Sequence, residues 1–495
     1  MQASDVASTS AVPMDSARPN AGAGAAGDGL GWVEPPAGLS LQQVHYLVRH
    51  GERTPVRTRL THLFPQRWNL CHAGRKFEAA VLDLTPTTED SRPTLNVGRV
   101  DIQTQGHAGR LRVNRAVEGE DSQGRPVRGE EGECLLGELT DLGRLSTLRF
   151  GRELRSLYID KLGFLPQRLT PDDADKVYFR STNMSRTIET LQQLIRGMHP
   201  QTMQPASPAG TAAAFVPQVL VRNGTNENLL PNTFGCSRLR SLDRAFADAA
   251  ARALNPSLEK LDAKTMPYTN GVPMRVDGHP RLNGLFDTIR AAQSHGFKVP
   301  PVFLESETQS IVENAIVGEW FSGYQAEDPE KRLEFRRLAM GRLLEDLAGR
   351  MQKKADKGDA EALKFALYAT HDTSLAGLLC TLDCFDFRWP VFTASVGIEL
   401  FQDQKAAPSI FGRAKSLMSS LTGGAAASSD HYVRVRYGDR TMKLPACADQ
   451  GKHYEGHPEL CTLEAFRGIV KELQHPKGWN WEQQCAVGQG ATSSK

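Results

Sequence analysis

The sequence predicts an α/β protein whose layered core carries a mostly helical insertion. Strand-like segments occur at 43–49, 176–180 and 365–370, and helical patterns follow the second and third of them. Strands that alternate with helices favour a sheet with helices packed on its faces. Residues 201–360 lack strand periodicity, so we expect this interval to form a helical cap inserted into the core.

The first strand ends in a run rich in phosphate-binding residue types. Residues 47–55 read Leu-Val-Arg-His-Gly-Glu-Arg-Thr-Pro, and Gly51 breaks the strand. Ligands bind at the carboxyl ends of strands in open α/β sheets, and a glycine there lets the backbone approach a ligand closely. Arg49 and Arg53 offer planar N–H forks that match phosphate oxygens, which leaves His50 as the candidate nucleophile.

Apolar stripes mark the helices that follow the other two strands. The helix after the third strand begins at Asp372 or Thr373, and its N-terminus would favour an anion at the same sheet edge as the arginines. Its apolar face comprises Leu375, Leu378, Leu379 and Leu382. The face of the helix after the second strand comprises Ile188, Leu191, Ile195 and Met198.

Further patterns predict strands near the carboxyl end of the core and helices in the cap. Alternation at 396–400 and 433–437 predicts two paired strands, and the Ala, Ser and Gly content of 404–430 predicts a flexible loop between them. Helical stripes in the cap comprise Val312, Ile316 and Trp320, and Met340, Leu344, Leu347 and Met351.

Composition limits the classes of partner. The chain has 59 basic and 57 acidic residues without a dense basic run, so we expect no nucleic-acid partner. It has no stretch of 18 apolar residues, so we expect no membrane span, while peripheral contact with a membrane is left open. Residues 1–38 and 486–495 are predicted to be disordered, which assigns 39–200 and 361–485 to the core.

The amino-terminal segment gives little information about the cellular compartment. Residues 1–38 lack the apolar middle of a secretory signal, and they contain four acidic residues against the single basic Arg18. We leave the compartment open and favour a mitochondrial or cytoplasmic location over secretion.

Three motifs together resemble the histidine acid phosphatase family. Arg-His-Gly-x-Arg-x-Pro stands at 49–55, Val-Tyr-Phe-Arg-Ser-Thr-Asn-Met-Ser-Arg-Thr at 177–187, and Leu-Tyr-Ala-Thr-His-Asp-Thr-Ser-Leu at 367–375. The resemblance implies a phosphoglycerate mutase-like three-layer core with a cap that overhangs the phosphate site. It also implies a phosphatase of small phosphomonoesters that needs no metal or other cofactor.

The resemblance assigns roles to six residues. His50 would attack phosphorus and form a phosphohistidine, and Asp372 would protonate the leaving oxygen. The need for a protonated carboxylate predicts an acidic pH optimum, with a raised pKa if Asp372 is partly desolvated. The residues that would hold the phosphate oxygens are Arg49, Arg53, Arg180 and His371.

The resemblance also bears on the substrate. Patches at 229–236 and 381–390 resemble the lysophosphatidic acid phosphatase branch of the family, which favours a lysophospholipid substrate. The alternatives are an inositol polyphosphate or a small phosphomonoester, transfer of the phosphoryl group to an alcohol, and a non-catalytic phosphate-binding protein. The retained nucleophile and acid disfavour the last. A phytase-like site would need a basic cluster, which Arg275, Arg281 and Lys298 in the cap do not clearly form.

The eight cysteines are predicted to pack mainly as small apolar side chains. Cys380 and Cys384 have a metal-like spacing, but the surrounding leucines put them on a buried helix, so we expect no metal site. The family commonly has a cysteine pair where Cys447 and Cys461 lie. The resemblance leaves their disulfide open, conditional on an oxidising compartment.

Overall fold

The computed structural model of the protein has a central sheet with helices on both faces. The structure describes residues 30–82, 95–96, 99–100, 108–200, 215–406 and 430–486. The strands of the central sheet are β1 (Leu39–Arg49), β8 (Val177–Ser181), β9 (Val219–Leu220), β10 (Phe365–Thr370), β11 (Ser395–Asp403), β12 (His431–Tyr437), β13 (Arg440–Met442), β14 (His453–Tyr454) and β15 (His457–Thr462). Short hairpins after β1 contain β2 (Lys76–Leu82), β3 (Leu95–Asn96), β4 (Arg99–Val100), β5 (Ala108–Asn114), β6 (Glu118–Glu120) and β7 (Pro126–Arg128).

Helices follow or connect most of the strands. They are α1 (Asp141–Arg155), α2 (Ser185–Met198), α3 (Ser237–Leu258), α4 (Asp262–Thr265), α5 (Leu282–Ser294), α6 (Ser306–Trp320), α7 (Pro329–Arg336), α8 (Arg342–Lys357), α9 (Asp372–Thr381), α10 (Leu463–Glu472) and α11 (Trp481–Cys485). The predicted helix start at Asp372 or Thr373 is therefore confirmed.

The sheet is parallel on one side and antiparallel on the other. Its strand order is β14-β15-β12-β11-β1-β10-β8-β9, and the run from β1 to β9 is parallel. Arg49 lies opposite Thr370, and Ala369 lies opposite Ser181. The carboxyl ends of β1, β10 and β8 therefore meet at one edge. The pairing predicted for the strands at 396–400 and 433–437 is confirmed as the contact of β11 with β12.

Each face of the sheet is covered by its own apolar cluster, because side chains of one strand alternate between the faces. On the first face, Tyr46, Val48 and Phe179 pack with residues of α1 and α2. On the second face, Leu47, Ala366 and Tyr368 pack with residues of α8, α9 and α10. The predicted three-layer α/β core is therefore confirmed.

The cap has a separate apolar cluster. Residues of α3, α5 and α6 pack there with Trp68, which comes from the loop after β1. Helix α8 also lies inside the predicted cap interval of 201–360, but its side chains Leu343, Leu344, Leu347 and Met351 pack with the sheet. The helical insertion is therefore shorter than the sequence pattern indicated, since an amphipathic stripe alone does not tell a core helix from a cap helix.

Residues 30–38 pack against the core, so the prediction that all of 1–38 is disordered is wrong for this part. Leu30 and Trp32 are buried, and the Trp32 indole N–H donates to Glu399 at 3.0 Å. These two apolar side chains are enough to anchor residues 30–38 to the core. The prediction missed them because it used the average composition of the whole segment. Residues 1–29 lie outside the described residues, as do 407–429 of the flexible loop predicted at 404–430 and 487–495 of the tail predicted at 486–495.

The carboxylate of Glu399 is fully buried and links the amino-terminal segment to the sheet. Arg434 Nε donates to it at 2.7 Å, and Tyr158 donates its hydroxyl at 2.7 Å. Burial raises the pKa of Glu399, but Arg434 and Arg436 outweigh burial and hold it below its ordinary value. Arg434 also donates to the carbonyl of Val33. The buried charges are therefore compensated only as long as all partners are present.

We expect Glu399→Gln to lower the free energy of unfolding by about 3–5 kcal/mol, because it leaves buried arginines without their counter-charge. Urea denaturation followed by fluorescence measures this change. The exposed Glu472 offers a matched control, and Glu472→Gln is expected to change the free energy by less than about 0.5 kcal/mol. A loss for Glu399→Gln no larger than that of the control would contradict the compensating role of Glu399.

Six of the eight cysteines form disulfides, so the prediction that most pack as free apolar side chains is wrong. The pairs are Cys71–Cys134, Cys236–Cys485 and Cys447–Cys461, and Cys380 and Cys384 are free. The first two pairs join cysteines 63 and 249 residues apart, a proximity that only the folded chain creates. Disulfides of this kind persist in oxidising compartments.

Candidate active site

The candidate site lies at the carboxyl edge of β1, β10 and β8. The backbone N–H of His50 donates to the carbonyl of Thr370 at 3.0 Å, which places the residues after β1 and β10 side by side. The rings of His50 and His371 have centroids 5.6 Å apart. The structure thus brings the first and third sequence motifs together, as the strand-end argument predicts.

His50 is held in one tautomer. Its Nδ1 lies 3.0 Å from the carbonyl oxygen of Gly51. A carbonyl oxygen only accepts hydrogen bonds, so Nδ1 carries the proton and Nε2 carries the free lone pair. Burial, together with Arg49 and Arg53, lowers the pKa of His50 well below its ordinary value. The imidazole is therefore neutral and can act as a nucleophile without a separate base.

Gly51 is required by a neighbouring helix. A Cβ at Gly51 would lie 2.5 Å from the carbonyl oxygen of Gly143 in α1. The backbone N–H of Gly51 also donates to Thr190 Oγ1 in α2 at 3.2 Å. The glycine thus allows the loop to cross α1 closely, whereas the sequence argument had assigned it to close approach of a ligand.

Arg49 and Arg53 are anchored at fixed positions beside His50. Arg49 donates to the carbonyl of Pro390 at 2.5 Å, and its guanidinium lies 4.3 Å above the ring of Phe392. Arg53 donates to the carbonyl of Thr54 at 3.0 Å. Such anchoring fixes the direction of the remaining N–H groups before any ligand arrives.

The third arginine near His50 is Arg186. It is the second residue of α2, and with Arg49 and Arg53 it contributes to the lowered pKa of His50. Burial, together with Arg53, lowers the pKa of Arg186 to about 10. Among the described residues, the Nε atoms of Arg49, Arg53 and Arg186 are buried without a hydrogen-bond partner. Buried donors that are left unsatisfied around one histidine favour an anion at this position.

Arg180, which the sequence analysis placed at the phosphate, has a different environment. Its side chain is 2% exposed, and it donates to Glu227 at 2.5 Å. Its Nη1 also lies 4.0 Å from Asp346 of α8. Arg180 is thus an ion-pair partner of the loop before α3, whereas Arg49, Arg53 and Arg186 are the arginines that lower the pKa of His50. These ion pairs argue against the predicted role of Arg180 as a phosphate ligand.

The second motif contains two arginines, and the position of each in the secondary structure distinguishes them. Arg180 is inside β8, so its side chain points to a face of the sheet, where Tyr178 contacts the apolar cluster that contains α8. Arg186 is in the first turn of a helix that starts at the carboxyl edge of the sheet. The sequence pattern predicted a strand that ends at Arg180 and indicated no start for the next helix, so it did not single out Arg186.

His371 is fixed by a chain of hydroxyl groups. Its Nε2 lies 3.0 Å from Thr182 Oγ1, which lies 2.8 Å from Thr187 Oγ1. Burial, together with Arg186, lowers the pKa of His371 to about 3, so the ring is neutral. These threonines follow β8, and the sequence analysis had given them no role.

Asp372 begins α9 and pairs with Arg49, whose Nη2 lies 2.7 Å from the carboxylate. Burial raises the pKa of Asp372, but Arg49 and Arg53 outweigh burial and hold it below its ordinary value. The expectation of a raised pKa is therefore wrong for the free site, because the arginines that would hold phosphate also stabilise the carboxylate. The backbone N–H of Thr373 donates to Asp372 at 2.8 Å, so this group is not free for an anion.

A cleft of 510 Å³ lies between the core residues and the cap. Arg49, Arg53 and Asp372 line its base. Its walls include Phe286, Ile316 and Trp320 from the cap, and Trp389 and Phe392 from the loop after α9. The cleft therefore combines a cationic base with an aromatic wall.

This arrangement can accept a phosphoryl group. Three arginines lower the pKa of the neutral His50 imidazole, and the Asp372 carboxylate is paired with one of them, Arg49. Such a site neutralises phosphate oxygens, presents an attacking atom and offers a group that can exchange a proton with the leaving oxygen. The fold and the site together define a phosphoryl-transfer enzyme of the histidine phosphatase type.

The model of the histidine phosphatase superfamily (branch 2) matches residues 40–438, and the chain belongs to this family. A probable acid phosphatase of Schizosaccharomyces pombe is 32% identical over 473 residues, which cover 90% of this chain and 95% of that protein. Lysophosphatidic acid phosphatase type 6 of Mus musculus is 27% identical over 432 residues, with coverage of 86% and 84%. The protein is therefore a phosphoric monoester hydrolase.

The solved structure of the Hafnia alvei phytase in its apo form resembles the fold. The TM-score is 0.51 at 14% identity, and the match covers 90% of this chain and 100% of the phytase. In the part of the chain that the structure describes, no helix is long and apolar enough to cross a membrane. The same residues contain no group of three His, Cys, Asp or Glu side chains placed as metal ligands.

Proposed function

We propose that the protein is a metal-independent acid phosphatase that forms a phosphohistidine on His50, and that it acts on a lysophospholipid such as lysophosphatidic acid. The observation that carries the proposal is the neutral His50, with Nδ1 bound to Gly51 and Nε2 left for attack, near three arginines whose Nε atoms are buried without a partner among the described residues. Arginine donors supply the positive charge that phosphoryl transfer needs.

In the first step, Nε2 of His50 attacks phosphorus while the bond between phosphorus and the leaving oxygen breaks. Arg49, Arg53 and Arg186 stabilise the charge on the non-bridging oxygens, and neutral His371 adds a donor. Protonated Asp372 gives its proton to the leaving oxygen. In the second step, a water oxygen attacks phosphorus, the bond to Nε2 breaks, and the Asp372 carboxylate takes a proton from the water.

The pH dependence follows from the low pKa of Asp372. The free site holds this carboxyl ionised except at acid pH, so the protonated fraction rises as the pH falls. We expect kcat/KM for an alkyl phosphate to fall by up to about tenfold per pH unit from mildly acidic to neutral pH. An activated aryl phosphate needs less protonation of its leaving oxygen, so its decline is expected to be shallower.

Asp372→Asn provides the control for this interpretation. We expect it to lower alkyl phosphate turnover by about 10²–10⁴-fold and aryl phosphate turnover by much less. Steady-state rates across the pH range measure both effects. Equal losses for the two substrates would show that Asp372 does not act as the acid.

Two observations support a lipid substrate. The aromatic wall of the cleft includes Trp320 and Trp389, whose ring centroids are 5.8 Å apart, with Phe286 beside them. Apolar surface of this kind suits an acyl chain. The relative from mouse is named for lysophosphatidic acid, which agrees with this wall.

The charges that line the cleft and those of the cap do not favour an inositol polyphosphate. Arg290 and Arg388 line the cleft, but both lie near Glu313, at 3.7 and 3.0 Å. Arg275 pairs with Asp262, and Arg281 pairs with Glu319. An arginine that is paired with a carboxylate attracts an additional phosphate group less strongly than an unpaired one.

The experiment compares lysophosphatidic acid with glycerol 3-phosphate, which has the same phosphate end without the acyl chain. Each buried methylene is worth about 0.8 kcal/mol, so we expect kcat/KM to be at least about tenfold higher for the lipid. Rates in EDTA should equal those without it. Alkaline quench of a turnover with a substrate labelled in its phosphoryl group should trap a phosphoenzyme that is stable to base and labile to acid, as expected for phosphohistidine. Equal rates for the two substrates would contradict the lipid, and sensitivity to EDTA would contradict the metal-independent mechanism.

A further inference from the structure

Asp287 is a cap residue that reaches the phosphate site. It lies on α5, and its Oδ1 accepts from Arg53 Nη2 at 2.8 Å. Its Oδ2 accepts from the backbone N–H of Val56 at 3.2 Å. The side chain is 17% exposed and lines the cleft. One carboxylate therefore joins the cap to the core loop and presents its charge beside the position of the substrate.

The charge of Asp287 acts on several arginines at once. Burial lowers the pKa of Arg49, Arg59 and Arg186, and Asp287 is among the carboxylates that oppose this lowering. Arg53 is its direct partner. Asp287 is therefore placed within the field of four arginines, of which Arg49, Arg53 and Arg59 line the cleft with it.

The balance of charge in this region matches one phosphoryl group. Four arginines face the carboxylates of Asp372 and Asp287, while His50 is neutral. Two positive charges remain, which equals the charge of one phosphomonoester dianion. Glu52 also lines the cleft, but it bonds Ser146, and burial raises its pKa. Arg290 and Arg388 also line the cleft, but they share the carboxylate of Glu313, so a second phosphoryl group would meet only one further uncompensated positive charge.

We propose that Asp287 is a specificity-determining residue that restricts the cleft to substrates with a single phosphoryl group. This inference rests on the proposed phosphatase function of the site. From its position on the cap, Asp287 neutralises part of the charge of Arg53. It also repels a second anionic group that enters between the cap and the core. In the proposed step Arg49, Arg53 and Arg186 bind the first phosphoryl group, and Asp287 acts on that group only through its pair with Arg53.

The test uses two substrates that differ by one phosphoryl group, propane-1,3-diol monophosphate and bisphosphate. We expect Asp287→Asn to raise the ratio of kcat/KM for the bisphosphate to that for the monophosphate by about tenfold, mainly through a lower KM for the bisphosphate. The one amide oxygen of Asn can still accept from Val56, so the substitution removes the charge and the hydrogen bond from Arg53. A merely structural role would change both substrates alike and leave the ratio unchanged.

Asp277→Asn is the matched control. Asp277 is an exposed cap residue that accepts from Asn255 at 2.8 Å, and it does not line the cleft. We expect its substitution to leave the ratio as in the wild type. A ratio that rises equally in both variants would overturn the local role of Asp287 in favour of the net charge of the cap.

The outcomes separate the two proposals. If the wild type turns over neither compound nor an aryl phosphate, the proposed function fails. If the wild type is active and Asp287→Asn leaves the ratio unchanged, the inference on Asp287 fails alone. If Asp287→Asn does not fold, Asp287→Ser removes the same charge. The affinities of the wild type and this variant for pyrophosphate and for phosphate, measured by calorimetry, then give the equivalent ratio of bisphosphate to monophosphate preference. An unchanged ratio there also overturns the inference.

Discussion

His50→Ala is expected to lower kcat by at least about 10⁴-fold for every phosphomonoester that the wild type hydrolyses. The reason is geometric. Nε2 of His50 is the atom with a free lone pair among the three arginines, and the neighbouring ring of His371 is bound through its Nε2 to Thr182. Steady-state phosphate release measures the loss, and single-turnover labelling should show that the phosphoenzyme disappears with it.

The variant is expected to keep its affinity for inorganic phosphate within about threefold, because the arginines that bind the anion are unchanged. Calorimetry at acid pH checks this. His72 is exposed and serves as a control, since His72→Ala should leave both turnover and binding as in the wild type. Turnover of His50→Ala within tenfold of the wild type would mean that another group attacks phosphorus.

The sequence predicted those parts of the site that depend on strand ends. Arg49, His50, His371 and Asp372 each follow or end a parallel strand, and the carboxyl ends of neighbouring parallel strands share one edge. Periodicity was sufficient to locate these strands, because each is buried on both faces or alternates clearly. The three-layer order follows from the same strands and the helices after them.

Other parts depend on contacts between residues that are distant in the sequence. Asp287 is 234 residues from Arg53, and nothing in the sequence of α5 marks it as part of the site. The ring of Phe392 below Arg49 comes from a loop without a motif. The cysteine partners of Cys71 and Cys236 likewise become neighbours only after folding. Local patterns carry no information on such pairs.

The pKa of Asp372 illustrates a competition that residue types alone do not decide. Desolvation and nearby arginines shift the pKa of a carboxyl in opposite directions. In the free site the arginines prevail, because Arg49 Nη2 is 2.7 Å from the carboxylate. A bound phosphate would compete for the same arginines and would thereby favour protonation of Asp372. Substrate binding would thus raise the pKa of Asp372 and favour the protonated form that the first step requires.

Arg186→Ala and Arg180→Ala should have opposite consequences. We expect Arg186→Ala to lower kcat/KM by about 10²–10³-fold, because it removes one of the hydrogen-bond donors that stabilise the negative charge on the phosphoryl oxygens in the transition state. Its stability should be retained, since Arg186 Nε is buried without a partner among the described residues. Phosphate release and urea denaturation on the same preparation measure both quantities.

For Arg180→Ala we expect a loss of about 3–5 kcal/mol in the free energy of unfolding, because Glu227 stays buried without its partner. The kcat/KM of the folded fraction should stay within about threefold of the wild type, as Arg180 does not contact the reacting groups. Glu227→Gln should reproduce this loss of stability. A variant of Arg180 that folds stably and loses activity would instead return the phosphate-binding role to the strand arginine, so the pair of substitutions decides which arginine of the second motif serves catalysis.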